Sequence, residues 1–217
     1  MYEIISLKLG PEDFPNFVYF VLDSSSRDTV LIDPAWDDRS IVETLDRNQL
    51  TLRGILLTHS HSDHVSAVQS ISKRYPVPVY LLRTEIEESG FSTPGLLPCE
   101  HEQDLRIGSV SVTCLHTAGH TSGSACYLIG NALFTGDTLF IESCGHCHSP
   151  GGSAEAMYES IQYLKSRTTD ETLIFPGHQY LGEPGLPMKS VRTRNIYIGI
   201  KNREAFMRFY NKLSPKA

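Results

Sequence analysis

Three histidines and an aspartate crowd one heptapeptide of this chain, THSHSDH, as His59, His61, Asp63 and His64. Elsewhere His120 follows TAG, Asp137 follows FTG and His178 follows FPG. Neutral imidazole and carboxylate suit Zn²⁺, and also iron or manganese. Side chains two apart on an extended segment face the same way, so His59 and His61 can share one ion. Asp63 and His64 fall in the first turn of the helix expected next and point elsewhere. The seven groups therefore divide into two adjacent sites. His59, His61 and His120 make one, Asp63, His64 and His178 the other, and Asp137 bridges them. Each metal keeps a position for solvent, as catalytic sites do and closed structural sites do not. Any one of these residues alone would be unremarked: an acid in a first helical turn, a histidine in a core. The set carries the meaning.

Every candidate ligand stands just past an apolar, strand-like run. GILLT leads to His59, VSVTCLHTAG to His120, NALFTG to Asp137 and TLIFPG to His178. Gly119, Gly136 and Gly177 each directly precede a ligand, where glycine allows a sharp turn and a close backbone approach. Further strands are expected at YEIISLKL, FVYFVL, TVLIDP, PVYLL and SACYLIG, with a hairpin turn at IGNA. Helical spacing marks 39–47, 63–75 and 153–165, the last with only a weak N-cap at Ser153. Strands run in two consecutive series with few helices inside each. That favours two sheets packed together, helices outside, over one alternating parallel sheet.

The chain has 217 residues, a net charge of −6 and 40% hydrophobic content, the profile of a globular protein. Its opening, MYEIISLKLGPEDFP, has no basic segment before an apolar run, so no secretory signal is expected. No apolar stretch reaches the roughly 18 residues of a membrane span. Five cysteines without a small-domain framework suggest a reducing compartment, and the cytoplasm is the expected location. Neither nucleic acid nor a membrane is expected as a partner. Charge is uneven: residues 189–217 hold eight Lys/Arg and one Glu, a balance of +7, and the remainder carries −13. Such a segment is a solvated amphipathic helix or a docking surface for an anionic partner.

The motifs THSHSDH, TAGHTSG, FTGDTLF and PGHQY resemble those of the metallo-β-lactamase-fold hydrolases, in the glyoxalase II-like branch. The longer stretch GNALFTGDTLFIESCGHCHSPGGSAEAMYESIQ is similar to zinc hydrolases of trans-acyltransferase polyketide clusters of the bacillaene type. The resemblance implies an α/β fold, a four-layer αβ/βα sandwich of two mixed sheets with helices outside and a dinuclear site at one edge. A single domain spanning 1–217 is expected, with a basic helical segment at about 188–217. Two Zn²⁺ are the expected cofactors, with iron or manganese as substitutes. Where the glyoxalase II family has a Lys and a Tyr that contact glutathione, this chain has His146 and His148. Tyr180 matches that family's third contact. The three are the candidate substrate-binding residues. The change directs the expectation from acyl-glutathione to small acyl thioesters on a phosphopantetheine arm, with an acyl carrier protein as candidate partner.

The expected reaction is thioester hydrolysis, with a metal-bound hydroxide as nucleophile and Asp63 directing it. Three alternatives share parts of this sequence: an iron-dependent persulfide dioxygenase, a lactonase, and a non-catalytic carrier-protein binding module. Cys144 and Cys147 have redox-motif spacing in CGHC but lack the thioredoxin-like context. His116 is expected to end a strand, His101 to sit in a solvated turn, and Trp36 to pack or to line the mouth of the site.

Overall fold

The computed structural model describes residues 1–213. The first sheet holds β1 (Tyr2–Leu9), β2 (Asn16–Asp23), β3 (Asp28–Ile32), β4 (Thr51–Leu56), β5 (Val79–Leu82) and β6 (Leu96–Cys99), in that spatial order. Its first three strands are antiparallel and the rest run parallel. The second sheet holds β7 (Asp104–Ile107), β8 (Val110–His116), β9 (Ala125–Ile129), β10 (Ala132–Gly136), β11 (Leu173–Pro176) and β12 (Leu186–Pro187), ordered 12-11-10-9-8-7. Only its β10–β11 pair is parallel.

β2 shows why the sheets stack. Its residues are buried on both faces, Phe17, Tyr19 and Val21 towards the second sheet, Val18 and Phe20 towards the helices. The inter-sheet core joins the first set to Cys114, Tyr127, Phe134 and Phe175. On the outer face of the first sheet lie α1 (Asp38–Arg47) and α3 (Val68–Arg74), whose Ile41, Leu45, Val68 and Ile71 are buried there. On the outer face of the second lie α5 (Ala154–Arg167), α6 (Met188–Arg194), α7 (Ile196–Gly199) and α8 (Arg203–Leu213), through Met157, Ile161, Val191, Ile198 and Phe206. This is the αβ/βα sandwich that the resemblance implied. No helix among the described residues is long and apolar enough to cross a membrane.

Local structure departs from the expectations in three places. The single helix at 63–75 is two, α2 (Ser62–Val65) and α3. The backbone N–H of Ala67 donates to the Pro34 carbonyl, and Ser66 Oγ accepts from the Trp36 N–H, so the loop after β3 interrupts the helix. Ser153 is a working N-cap, accepting from the Ala156 N–H at 3.2 Å. Three short strands (β6, β7 and β12) and α4 (Arg83–Ser89) were not expected, being only two to seven residues long.

Candidate metal centre

All seven candidate ligands emerge at one edge of the sandwich, where the two sheets are pinned together. Phe17 N–H donates to the Gly177 carbonyl at 2.8 Å, and Ala125 N–H to the Thr58 carbonyl at 2.8 Å. The Tyr127 hydroxyl donates to the Leu57 carbonyl at 2.7 Å and the Tyr19 hydroxyl to the Pro176 carbonyl. The glycines before the ligands are needed for proximity. A Cβ on Gly136 would lie 2.5 Å from Thr58 Oγ1, and one on Gly119 2.6 Å from Met157 Cα. A Cβ on Gly177 would intrude on the site itself, 2.7 Å from both Asp137 Oδ1 and His64 Cε1.

The candidate ligand atoms converge in three overlapping groups: His59, His61 and His120; His59, His64 and Asp137; Asp63, His64 and His178. His61 Nδ1 lies 3.1 Å from His59 Nε2 and 2.9 Å from His120 Nε2. His178 Nε2 lies 3.3 Å from His64 Nε2 and 3.3 Å from Asp63 Oδ2. Asp137 stands between the groups, Oδ2 at 3.5 Å from both His120 and His178, Oδ1 at 3.3 Å from His64. Two ligand atoms about 2.0–2.1 Å from one tetrahedral Zn²⁺ lie roughly 3.3 Å apart, so the spacing fits a shared ion.

The hydrogen bonds on the far side of the rings make the same case. His178 Nδ1 donates to the Pro15 carbonyl (3.0 Å) and His120 Nδ1 to the His146 carbonyl (2.6 Å). His64 Nδ1 faces Asp33 Oδ2 at 2.9 Å. In the neutral rings these bonds leave each Nε2 as a bare lone pair aimed inward, which is how outer partners orient metal-ligating histidines. Among the described residues, Asp137 Oδ1 is buried without a hydrogen-bond partner. Lone pairs gathered around an unpartnered carboxylate oxygen fit a cation, which would satisfy them together.

Ionisation follows the same lines. Burial holds the His59 pKa well below its ordinary value, with His64 and His120 adding to the effect. Burial and then His120 lower that of His61. Burial pulls His64 down, but Asp137 and Asp33 more than offset it and leave its pKa well above the ordinary value. For His178, Asp63 and Asp137 likewise outweigh burial. Asp63 is pushed down to about 2: burial opposes this, and the His178 hydrogen bond with the nearby His64 outweighs it.

The other candidates take outer places. His146 is exposed, with its ring 4.8 Å from that of His120. His148 stacks behind it at 6.5 Å and meets Tyr210 at 5.7 Å. Tyr180, 56% exposed, packs on Phe140, whose ring lies 6.0 Å from His178. A cleft of about 310 Å³ opens beside His61, walled by Ser60, Glu85, Glu88 and Thr121. Cys144 and Cys147 do not look like redox thiols. Burial pushes both up, Cys147 to about 11, the reverse of an activated thiolate. His116 ends β8, its Nε2 against the Ser122 carbonyl, and the exposed His101 packs on Tyr163. Trp36 does more than line a mouth. Its Nε1 donates to Asn16 Oδ1 at 2.7 Å, and Asn16 Nδ2 donates to Asp63 Oδ2 at 3.3 Å.

Sequence reasoning missed Asn16, Asp33 and Glu85, all buried. Asp33 had a signal: it follows the apolar run of β3 directly, as the ligands follow theirs. It accepts from the N–H and hydroxyl of Thr58 as well as facing His64, and holds a left-handed φ of 49°. Asn16 and Glu85 carried no such signal.

A metallo-beta-lactamase superfamily model matches residues 11–178. The chain is 36% identical over 215 residues to a probable polyketide biosynthesis zinc-dependent hydrolase, PksB of Bacillus subtilis, covering 99% of this chain and 96% of that one. A hydroxyacylglutathione hydrolase of Shewanella halifaxensis is 34% identical over 167 residues, 76% of this chain and 62% of that one. Among solved structures, ETHE1 from Myxococcus xanthus superposes with a TM-score of 0.85 at 28% identity, over 98% of this chain and 92% of that one. A di-iron-bound form of TTHA1623 gives 0.74 at 28% identity, over 88% and 98%. With a dinuclear His/Asp site at the edge of an αβ/βα sandwich, the chain belongs to the metallo-β-lactamase superfamily, in its glyoxalase II branch, as a metal-dependent hydrolase.

Proposed function

We propose that this hydrolase cleaves small acyl thioesters borne on a pantetheine-like arm. Two Zn²⁺ would be held by His59, His61 and His120, by Asp63, His64 and His178, and by Asp137 between them. The observation that carries the substrate reading is the loop after Asp137. It lays His146 against His120, with His148 behind, where glutathione-contacting Lys and Tyr are expected in the glyoxalase II pattern. The likeness to a polyketide-biosynthesis hydrolase over nearly the whole of both chains supports the same reading.

When bound, the metals supply Lewis acidity for the carbonyl and acidify water to a pKa of about 7. The chain supplies direction. Asp63 is partly open to solvent and stays a carboxylate across the neutral range. So weak a base orients an attacking water through a hydrogen bond and does not store its proton. Asn16 and Trp36 fix the rotamer of Asp63. His146, lowered by burial and then by His120, is a neutral imidazole at the rim, able to accept or donate one hydrogen bond to the acyl arm. The departing thiol has a free pKa of roughly 8.5 and leaves as thiolate with little acid assistance, so no dedicated general acid is required.

An acyl carrier protein is the proposed bearer of the arm, met by the basic C-terminal segment. Arg194, Lys201 and Arg203 are exposed there. Arg192 is not part of this surface: it pairs with Asp170 and donates to the Lys165 carbonyl. Lys189 and Arg208 pair with Glu171 and Glu204, and Lys216 lies outside the described residues. Five free cysteines fit a reducing, cytoplasmic setting.

The test is kcat/KM for one acyl group on pantetheine and on glutathione, with protein of measured metal content. Pantetheine is expected to be preferred, and a clear preference for glutathione overturns the reading. Oxygen uptake with glutathione persulfide would point instead to the dioxygenase, and turnover of lactones alone to the lactonase.

A further inference from the structure

Glu85 is 2% exposed, yet no cationic side chain pairs with it among the described residues. A buried carboxylate is costly unless its oxygens are well bonded. All three bonds to the Glu85 carboxylate come from residues adjoining metal ligands. Oε1 accepts from the Ser60 N–H at 2.9 Å and the Ser60 hydroxyl at 2.6 Å. Oε2 accepts from the Thr121 hydroxyl at 2.7 Å. Ser60 lies between His59 and His61, and Thr121 directly follows His120. One side chain therefore ties together two loops, from different sheets, that carry all three histidines of one cluster.

The contacts around it are close enough to fix that geometry. Gly123 packs so tightly on α4 that a Cβ there would lie 2.2 Å from the Glu85 nitrogen. Ser124 Oγ takes the Thr121 N–H at 3.0 Å and meets the Thr121 hydroxyl at 2.8 Å, holding that hydroxyl in place for Glu85. The need for such a strap is local. In the other cluster Asp33 bonds the His64 ring directly, whereas His59 faces the Thr58 hydroxyl and His120 a backbone carbonyl. None of those outer partners joins the His59–His61 loop to the His120 loop.

We infer that Glu85 is a positioning residue for the His59, His61 and His120 subsite, setting the spacing of its ligands by strapping Ser60 to Thr121. The inference rests on the ligand assignment proposed above. It is a matter of hydrogen bonds, which distinguishes the glutamine and alanine variants. In Glu85→Gln the amide oxygen keeps both Ser60 bonds, and the amide N–H₂ donates to the Thr121 hydroxyl, which can accept.

The experiment is stepwise Zn²⁺ affinity by chelator competition, on full-length protein whose folding is checked by circular dichroism. Loss of an outer partner typically costs about 10–100-fold in metal affinity. Glu85→Ala should lose that much at one of the two sites, and Glu85→Gln should stay within a few-fold of the parent. Thr121→Val, which removes one leg of the strap, should give a smaller loss at the same site and serves if the alanine variant does not fold. Unchanged affinities in Glu85→Ala, or an equal fall in Glu85→Gln, would overturn the strap. His61→Ala separates this from the ligand assignment: it should abolish one site outright. If it retains both, the assignment fails whatever Glu85 does.

Discussion

The two candidate ligand clusters meet at Asp137 and differ in their make-up. The His59, His61 and His120 cluster is all imidazole, and burial lowers the pKa of its His59 and His61. The Asp63, His64 and His178 cluster includes a carboxylate, and carboxylates around it raise the pKa of both its histidines. The first is ready for a cation because His59 and His61 resist protonation. The second is ready because negative charge attracts one, and that charge attracts protons too. The two clusters would thus hold their ions by different balances of the same forces.

The sharpest test removes what the clusters share. Asp137→Ala should weaken both, dropping metal content from about two equivalents to below one by elemental analysis, with activity lost alongside. Full occupancy at both sites would show that Asp137 does not bridge. Next comes a change weighted to one side. Asp33→Asn should cost about 10–100-fold in affinity at the His64 cluster and less at the other, where Asp33 reaches His59 only through the Thr58 hydroxyl. Equal weakening of both in chelator competition would break the division.

Acidification should separate the clusters without mutation. His64 and His178 bind protons at a higher pH than an ordinary histidine, so protons compete with metal there first as the pH falls. His59 and His61 bind protons only at lower pH, and their metal should persist. Metal retention after dialysis over a pH series should therefore fall in two steps, and one simultaneous step would contradict the contrast. The smallest effect lies away from both clusters. Arg194→Glu with Arg203→Glu should lower kcat/KM for a carrier-bound thioester several-fold at low salt, and leave a free thioester unchanged. Steering of this kind fades over a screening length of about 8 Å at physiological ionic strength. Equal loss on both substrates would tie these arginines to the fold or the pocket.

Much of the centre was legible because its chemistry is punctuated. Each ligand-bearing segment follows a strand and three of the four have a glycine directly before the ligand, and the geometry shows why at Gly177, where any side chain would strike Asp137 and His64. The continuous apolar run of β2 and the helical spacing of α5 were legible as well, since each local pattern agrees with its burial. What escaped depended on partners distant in sequence. The helix break at Ser66 and Ala67 exists only because Pro34 and Trp36 fold back onto it. β6 contains Pro98 and is an edge strand, the position that tolerates a residue without an N–H. Glu85 is one of three glutamates on a seven-residue helix, and nothing in that stretch distinguishes the buried one.

Each cluster draws two donors from loops of the first sheet and a third from the second. His59 and His61 meet His120, and Asp63 and His64 meet His178, across the edge pinned by the Tyr19 and Tyr127 hydroxyls. Neither cluster, as divided here, is complete on one sheet. A chain with one sheet unformed would lack a complete cluster of either kind, so metal binding is coupled to completed folding. The metal-binding edge thus reports on the whole sandwich: whatever separates the two sheets there takes the ligand geometry with it.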